Sequence, residues 1–445
     1  QKREHTIRIR GNGHKTYNKP LYVLDGKPIS ESDFQNLNSK NIKHIEILNP
    51  LQGNAIYGYE GTKGVICLRT TGRKNNVDFS MIDDFLNESY SQIQENPFKR
   101  ANHAPLSTFS IDVDRAAYSN IRRMINNGQK VPANAVKIEE MINYFDYNYP
   151  QPNDEHPFSI NTEVVKSPWN EDTQLVRIGL QGKTYTNKDL PASNLTFLID
   201  VSGSMGATNK LPLLKSAFKL LVNQLREEDM VSIVVYAGAA GVVLEPTSGR
   251  NKEKIINALN QLRSGGSTAG GEGIELAYKL AEEHFKKNGN NRVILATDGD
   301  FNVGASSDEA MQKLIEDKRK SGVFLSVLGF GYGNYKDSKL ETLADRGNGN
   351  HAYIDTMQEA QKVFGKEFGG TLYTIAKDVK IQVEFNPRHV QAYRLIGYEN
   401  RLLADEDFLD DTVDAGELGS GHTVTALYEV IPVGVESDYL KSIPD

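Results

Sequence analysis

The apolar run Leu195–Ile199 ends directly in the sequence Asp-Val-Ser-Gly-Ser at positions 200–204. A buried strand that ends in this way delivers one carboxylate and two hydroxyl groups to a single turn. Hard oxygen donors of this kind suit Mg²⁺, Mn²⁺ or Ca²⁺ and suit zinc poorly, because no thiolate or imidazole is close in the sequence. The alternative is a Ser/Gly turn that only caps the helix after it.

Two later loops extend the same pattern. The apolar strand Asn291–Ala296 ends in Thr-Asp-Gly-Asp at positions 297–300, and the glycine-rich loop Ser264–Gly271 precedes the helical run Ile274–Lys287. In an open parallel sheet, the loops at the carboxyl ends of the strands gather at one edge and form the ligand crevice. We therefore expect an oxygen-only site for Mg²⁺, or for Mn²⁺ or Ca²⁺, formed by Asp200, Ser202, Ser204, Thr268 and Asp298.

Strands and helices alternate around these loops. Apolar residues in Lys210–Arg226 recur at helical spacing, and Met230–Tyr236 has the composition of a buried strand. Further helices are predicted at Lys252–Leu262, Asp308–Lys320 and Asp337–Ala344, and further strands at Gly241–Glu245, Val323–Phe330 and His351–Ile354. This alternation predicts an α/β fold with a doubly wound, mostly parallel sheet. The glycine-rich loop at 329–333 is not G-x-G-x-x-G, and we interpret it as a mobile loop at the crevice edge.

Residues from about 194 to 376 resemble a von Willebrand factor A domain, a Rossmann-like fold, with an intact metal-ion-dependent adhesion site. The resemblance implies that Ser202, Ser204 and Thr268 offer hydroxyl ligands, and that Asp200 and Asp298 hold the ion directly or through water. It also implies an open coordination position that a carboxylate of a partner protein fills. The residues expected at the partner-binding rim are Gly203, Met205, Gly299, Asp300 and Tyr332.

These loops favour binding over catalysis. Asp300 is the nearest candidate for a base that would activate a metal-bound water. It is, however, the second carboxylate of the turn Thr-Asp-Gly-Asp, and it is better explained as a solvated or turn-forming residue. We therefore predict that the protein is not an enzyme. The alternative is a phosphatase of the haloacid dehalogenase type, with Asp112 and Asp114 as nucleophile and acid. Ala116 stands where that family has Thr or Val, and no partner lysine is evident in the sequence.

The segments that flank the metal domain resemble the bacterial YfbK-type von Willebrand A proteins. On the amino side the likeness is carried by Phe109–Tyr118, Ile138–Phe145 and Ser167–Asn170, and on the carboxyl side by Asp414–Gly419. Within the first of these segments we interpret Glu139 and Glu140 as a solvated helix face.

Strands occur both before and after the metal domain. We predict that Phe158–Val165 and Gln174–Gln181 pair with strands that begin at Asp378. Strands of this length would otherwise expose long edges. The pairing would form a β-sandwich into which the metal domain is inserted.

The amino-terminal segment has a separate pattern. Short strands at Leu21–Ile29, Ile42–Leu48 and Gly64–Thr70 surround a predicted short helix and turn at Gly53–Gly61. Residues 18–72 resemble the plug domain of TonB-dependent outer-membrane receptors, a small α+β domain, without the front of the plug or a barrel. This resemblance favours a docking or spacer module of the cell envelope.

Composition excludes several classes of protein. A net charge of -7 and an isoelectric point near 5.8, with no basic block, argue against a nucleic-acid partner. No apolar run approaches the ~18 residues of a membrane span. Cys67 is the only cysteine, so no internal disulfide can form, and its apolar neighbours predict a buried thiol. The absence of an initiator methionine favours a mature or trimmed start at Gln1.

Five segments follow from these patterns: a plug-like domain at 1–72, a polar linker at 73–106, a helical and strand region at 107–190, the metal domain at 191–376 and a β-rich region at 377–445. The predicted function is a metal-ion-dependent protein-binding or adhesion module of the bacterial cell envelope. The location would be periplasmic or at the outer membrane, with room for a lipid anchor on the full-length protein. The alternatives are a structural scaffold whose ion only orders the loops, or an assembly factor for an ATPase.

Overall fold

A computed structural model of the chain describes residues 20–25, 27–37, 41–48, 63–70, 88–186, 188–266, 270–299, 308–333, 335–366, 373–410, 412–413 and 415–443. The chain divides into two compact units. One comprises residues 1–88 with 332–335, and the other comprises residues 89–331 with 336–445.

The first unit contains a small mixed sheet. Its elements are β1 (Leu21–Leu24), β2 (Lys27–Ile29), α1 (Glu31–Gln35), β3 (Ile42–Leu48) and β4 (Val65–Thr70). The strand order is β2-β1-β4-β3, with β1 and β4 parallel and the other pairs antiparallel. Cys67 is buried with Val23 and Val65, as its apolar neighbours predict. The predicted helix at 53–61 lies outside the described residues, and the plug resemblance stays a prediction.

The second unit begins with strands and two helices. They are β5 (Lys99–Arg100), β6 (Leu106–Ser110), α2 (Ala116–Asn126), α3 (Ile138–Asn143), β7 (Phe158–Lys166) and β8 (Gln174–Gly182).

A six-stranded sheet follows. Its strands are β9 (Ser193–Asp200), β10 (Met230–Tyr236), β11 (Ala240–Ser248), β12 (Asn290–Thr297), β13 (Phe324–Phe330) and β14 (His351–Ile354). The order is β11-β10-β9-β12-β13-β14, and every pair is parallel except β10 with the edge strand β11. This is the strand order of a classical doubly wound fold. The predicted fold class is confirmed.

Helices alternate with these strands. They are α4 (Leu211–Gln224), α5 (Lys252–Gln261), α6 (Gly270–Glu283), α7 (Asp308–Arg319), α8 (Asp337–Arg346) and α9 (Met357–Ala360). The apolar stripe of α4 is buried as its spacing predicts, and Phe218 packs on Phe197 of β9 with ring centroids 4.3 Å apart. This packing fixes the carboxyl end of β9, where the first predicted metal loop starts.

The chain then returns to antiparallel strands. They are β15 (Thr374–Glu384), β16 (Val390–Ile396), β17 (Leu402–Leu403), β18 (Gly416–Gly419) and β19 (Thr423–Pro432). One sheet has the order β17-β6-β15-β18, and another has the order β5-β16-β19-β8-β7. Strand β8 pairs with β19 from Gln174 opposite Val430 to Gln181 opposite Thr423.

The two antiparallel sheets share one hydrophobic core. Phe109 of β6, Leu180 of β8 and Tyr428 of β19 are fully buried in it, together with residues of β16 and β18. The predicted pairing with a later strand is confirmed for Gln174–Gln181, since β8 pairs with β19. It is wrong for Phe158–Val165, because β7 pairs with β8 and lies at the edge of the sheet. Among the described residues, no helix is long and apolar enough to cross a membrane.

The two acidic residues of α3 are buried and not exposed to solvent as predicted. Glu139 and Glu140 are 4% and 2% exposed, so the interpretation as a solvated helix face is wrong. The Glu139 carboxylate accepts the backbone N–H of Tyr398 at 3.1 Å, and the Glu140 carboxylate accepts that of Ala117 at 2.8 Å. Tertiary packing turns this face inward, because α3 lies against β19 and α2.

Candidate metal centre

The candidate site lies where the strand order of the parallel sheet reverses. Strands β9 and β12 are neighbours, with Ile199 opposite Ala296, and their carboxyl ends lead to Asp200 and Asp298. Chain connections leave in opposite directions from these two strands, so a crevice opens between the loops. The fold therefore brings together two carboxylates that are far apart in the sequence.

The first loop is held in a tight turn. The backbone N–H of Ser202 donates to Asp200 Oδ1 at 2.8 Å, and a short 3₁₀ turn follows over Gly203–Gly206. The hydroxyl oxygens of Ser202 and Ser204 are 3.0 Å apart. One carboxylate and two hydroxyl groups thus converge in this turn, as the motif predicts.

The other oxygen of Asp200 reaches neighbouring strands. Its Oδ2 accepts hydrogen bonds from the hydroxyl groups of Thr297 at 3.1 Å and Tyr236 at 3.3 Å. Thr297 Oγ1 in turn accepts the backbone N–H of Gly299 at 3.2 Å. Burial, followed by the nearby charge of Asp298, raises the pKa of Asp200 to about 6. Two buried carboxylates of like charge favour a cation between or beside them.

The second loop lies against the first. The N–H of Gly203 donates to the carbonyl of Gly266 at 3.0 Å, and the N–H of Gly265 donates to the carbonyl of Val201 at 2.8 Å. These bonds hold Gly265 and Gly266 beside the first loop. Thr268 itself and Asp300 of the third loop lie outside the described residues.

A lysine enters the same crevice. Lys210 lies between the first loop and α4, and its Nζ donates to Asp298 Oδ2 at 2.8 Å. The Asp298 side chain is 1% exposed and the Lys210 side chain is 13% exposed. An ammonium group therefore neutralises one of the carboxylates of the predicted metal site.

The donor set fits a hard divalent ion. The described members, Asp200, Ser202, Ser204 and Asp298, offer carboxylate and hydroxyl oxygens, which are the ligands that Mg²⁺ prefers. The Lys210 ammonium shows that a cation is stabilised at this position. When bound, a divalent ion would supply an electrophilic centre that accepts a further carboxylate.

The predicted rim residues differ in their exposure to solvent. Gly203 is exposed beside the crevice, whereas Gly299 is buried with a φ of +101°, a backbone conformation that favours glycine. Met205 is fully buried in the hydrophobic core of the parallel-sheet domain, so its predicted place at the rim is wrong. Its long apolar side chain turns inward, beneath the turn that carries the hydroxyl groups. Tyr332 is half-buried and belongs to the first compact unit.

Sequence reasoning missed three residues that shape the site. Thr297 and Tyr236 bind Asp200, and Lys210 binds Asp298. The signal for Thr297 was its position directly before Asp298 at the strand end. Tyr236 ends the neighbouring strand β10, opposite Asp200 in the sheet register, which only strand pairing reveals.

A second acidic cluster lies elsewhere in the second unit. Carboxylate oxygens of Asp114, Glu140 and Glu341 lie within 4.8 Å of one another. Cationic side chains already accompany them. The Arg401 guanidinium lies 3.2 Å from the carboxylate of Asp112 and 3.4 Å from that of Asp114. It also lies 2.7 Å from the carboxylate of Asp345.

Lys137 neutralises the other side of this cluster. Its Nζ lies 3.1 Å from Glu140, 3.0 Å from Asp337 and 2.9 Å from Glu341. Burial alone would lower the pKa of Lys137, but the surrounding carboxylates outweigh it and hold the pKa well above its usual range. The cluster is therefore an internal ionic network that joins α3 to α8. Asp112 and Asp114, the residues of the alternative phosphatase prediction, are both paired with Arg401 in this network.

Comparisons with known proteins agree with this geometry. The family model described as von Willebrand factor type A domain matches residues 194–366. The chain contains a von Willebrand factor type A domain. A model described as von Willebrand factor matches residues 84–177, and one for the carboxy-terminal region of the uncharacterized protein YfbK matches residues 370–444.

Individual relatives show how far the likeness extends. The uncharacterized protein YfbK of Escherichia coli (strain K12) is 45% identical over 365 residues, covering 80% of this chain and 64% of that protein. Inter-alpha-trypsin inhibitor heavy chain H3 of Homo sapiens is 29% identical over 191 residues, covering 41% of this chain and 21% of that protein. The chain thus spans less than two thirds of the length of either relative.

Among solved structures, the von Willebrand factor type A protein from Catenulispora acidiphila aligns with 77% of this chain and 67% of its own, at 14% identity and a TM-score of 0.40. The name of YfbK states no activity, and that of heavy chain H3 describes a chain of an inhibitor.

Proposed function

We propose that this protein is a metal-ion-dependent binding module that captures a partner protein through a carboxylate of that partner. The observation that carries the proposal is the convergence of Asp200 and Asp298 with the hydroxyl groups of Ser202 and Ser204 at the reversal point of the sheet. Thr268, in the loop that Gly266 ties to the first loop, would complete the ligand set. Mg²⁺ is the expected ion, with Mn²⁺ or Ca²⁺ as alternatives.

The charge of the site supports recognition of an anion. Two carboxylates beside a divalent ion leave the site near neutrality, so a third carboxylate from a partner is still attracted. Ser204 and Gly203 are exposed and can line the approach to the ion. A partner protein that presents an exposed Asp or Glu is therefore the expected ligand.

The hydrogen bonds of the crevice favour binding over hydrolysis. Of the two oxygens of Asp200, Oδ1 accepts the Ser202 N–H and Oδ2 accepts two hydroxyl groups, which leaves this carboxylate poorly placed to act as a base. The protein is accordingly proposed to be non-enzymatic. Its location is proposed to be the bacterial cell envelope, on the likeness of residues 18–72 to a receptor plug domain.

Metal binding is tested first, by isothermal titration calorimetry with MgCl₂ after treatment with EDTA. Wild type and the surface variant Asp154→Ala, whose side chain is 61% exposed, are expected to bind one ion, and Asp200→Ala is expected to lose binding. Absence of binding by wild type would contradict the proposal. Retained folding of Asp200→Ala, measured by circular dichroism, separates loss of the site from loss of the fold.

Partner capture is tested with the same proteins immobilised and exposed to an envelope extract. We expect a protein retained by wild type and Asp154→Ala in Mg²⁺, and released by EDTA or by free acetate at high concentration. Equal capture by Asp200→Ala would mean that the ion only orders the loops. The protein would then be a structural scaffold, or an assembly factor that binds through another surface.

A further inference from the structure

The side chain of Lys210 occupies a defined path in the crevice. It starts at the residue directly before α4, where the Lys210 N–H donates to the Ala207 carbonyl at 3.0 Å. It ends at Asp298 Oδ2, with a distance of 2.8 Å from Nζ. The side chain thus crosses from the first metal loop to the third.

Gly331 provides the groove for this path. It lies directly after β13 with a φ of +76°, and a Cβ added there would lie 2.6 Å from Lys210 Cγ. Any side chain at position 331 would therefore displace the lysine stem. The close approach of backbone and stem packs the apolar part of Lys210 and directs its ammonium toward Asp298.

The ammonium and a divalent ion would compete for the same carboxylate. Asp298 is 1% exposed, so water stabilises its charge poorly and a cation is needed beside it. Lysine carries a compact charge on a flexible stem of four carbons, which allows the ammonium to leave and become hydrated without movement of the backbone. The ammonium also repels a divalent ion bound beside Asp200.

We propose that Lys210 is an internal competitor of the metal ion: its ammonium holds Asp298 in the ion-free protein and must withdraw for full metal coordination. The inference rests on the proposed function and adds a regulatory element to the same site. Lys210 would keep the crevice folded without an ion and lower the affinity for the ion. Because Lys210 lowers the affinity, metal binding and the partner binding that depends on it would require a higher ion concentration.

The test compares MgCl₂ titrations of wild type and Lys210→Met by isothermal calorimetry at constant pH. Methionine keeps an unbranched stem that can pack on Gly331 and removes the charge. Loss of the repulsion is expected to tighten Mg²⁺ binding on the order of tenfold. The control is Lys279→Met on α6, whose parent side chain is 70% exposed and 3.9 Å from Glu283. We expect it to bind Mg²⁺ as wild type does.

Thermal unfolding gives a second readout. In EDTA, Lys210→Met is expected to melt at a lower temperature than wild type, because Asp298 loses its cation. Addition of Mg²⁺ is expected to raise its melting temperature by more than that of wild type. A melting temperature in EDTA equal to that of wild type would overturn the inference.

A second variant covers the case in which Lys210→Met does not fold. Lys210→Arg keeps the charge and can bind a carboxylate through two parallel N–H groups, so it should weaken Mg²⁺ binding relative to wild type. Equal or tighter binding by Lys210→Arg would overturn the inference.

The outcomes distinguish this inference from the proposed function. Mg²⁺ binding by wild type together with equal or weaker binding by Lys210→Met would overturn the competitor role, and the metal site itself would stand. It would identify Lys210 as a group that merely orients Asp298. Absence of Mg²⁺ binding in wild type and in Lys210→Met alike would overturn both proposals.

Discussion

At the scale of single residues, the two carboxylates of the crevice differ in their partners. Asp200 accepts an N–H and two hydroxyl groups, all neutral donors, whereas Asp298 is paired with the charged ammonium of Lys210. A buried carboxylate without a charged partner is the more costly of the two to ionise. Asp200 therefore gains most from a bound cation.

Replacement of Asp200 by Asn should remove the effect of metal on stability. The amide oxygen can still accept the Ser202 N–H, so we expect the fold to remain, and the neutral side chain cannot balance a divalent ion. The expected result is that Mg²⁺ raises the melting temperature of wild type and leaves that of Asp200→Asn unchanged. Differential scanning calorimetry with and without EDTA measures this. The matched control, Asp154→Asn, should respond to Mg²⁺ as wild type does.

At the scale of elements, α3 and α8 are joined by charge inside the protein. Lys137, directly before α3, is 5% exposed and contacts Asp337 and Glu341 of α8. A buried ammonium among carboxylates contributes little net stability as a whole, but removal of one partner leaves the others buried and uncompensated. The network therefore makes the position of α8 depend on that of α3.

Substitution of Lys137 by Met should destabilise the protein strongly. We expect the free energy of unfolding to fall by about 3–5 kcal/mol, because three buried carboxylates lose the Lys137 ammonium and, of these, Glu341 keeps Arg401 at 3.6 Å. Urea denaturation measures the change. Lys320→Met serves as the control, since that side chain is 71% exposed and the loss of its exposed ion pair with Asp317 at 2.8 Å should change the stability little. A similar small change in both variants would contradict the dependence of the buried carboxylates on Lys137.

The buried carboxyl of Glu139 should make stability depend on pH. Burial, with the nearby charge of Glu140, raises its pKa from 4.5 to about 7. Between these values the folded protein retains a proton that the unfolded chain releases, so this group makes the free energy of unfolding fall as pH rises from 4.5 to about 7. The shift corresponds to at most about 3 kcal/mol.

The variant Glu139→Gln keeps an oxygen that can accept the Tyr398 N–H and carries no charge. We expect the free energy of unfolding of this variant, minus that of wild type, to be larger at pH 8 than at pH 4.5. The increase should occur between these two pH values. Urea denaturation across this pH range provides the measurement. The exposed Glu155→Gln should follow the wild-type curve, and a parallel curve for Glu139→Gln would contradict the raised pKa.

At the scale of the whole second unit, one domain interrupts another. Strand β8 precedes the metal domain, and its partner β19 follows it, so the sandwich cannot close until the chain beyond the metal domain is present. Tyr428 of β19 is fully buried between the sheets, and its hydroxyl lies 3.0 Å from Ser107 Oγ of β6. The two sheets therefore form a single core from three separate stretches of sequence.

Loss of the Tyr428 ring should loosen the sandwich on both sides of the insertion. Tyr428→Ala is expected to lower the free energy of unfolding by about 3–5 kcal/mol through the cavity it leaves. Hydrogen exchange should accelerate in β8 as well as in β19, and less in the central strand β9 of the parallel sheet. The control is Tyr185→Ala, whose parent side chain is 39% exposed. Acceleration confined to β19 would contradict a shared core.

The sequence by itself determined the parallel-sheet domain and the positions of the loops that carry the candidate metal ligands. Strand and helix periods are local properties, and Asp200, Ser202 and Ser204 lie within a few residues of one another, so no long-range information was needed. Even the convergence of Asp298 followed from the general rule for loops at the carboxyl ends of parallel strands. The pairing of Gln174–Gln181 with a strand after the parallel-sheet domain was also predictable, because unpaired edges are unfavourable. The edge position of β7 was not predicted.

Only the tertiary structure decided which side chains face inward and which charges meet. Met205 and Glu139 have sequence neighbours compatible with exposure, yet packing against distant elements buries both. The contacts of Lys210 with Asp298 and of Lys137 with α8 join residues 88 and about 200 positions apart. Electrostatic pairing depends on distance in space, and a sequence pattern fixes that distance only within one element.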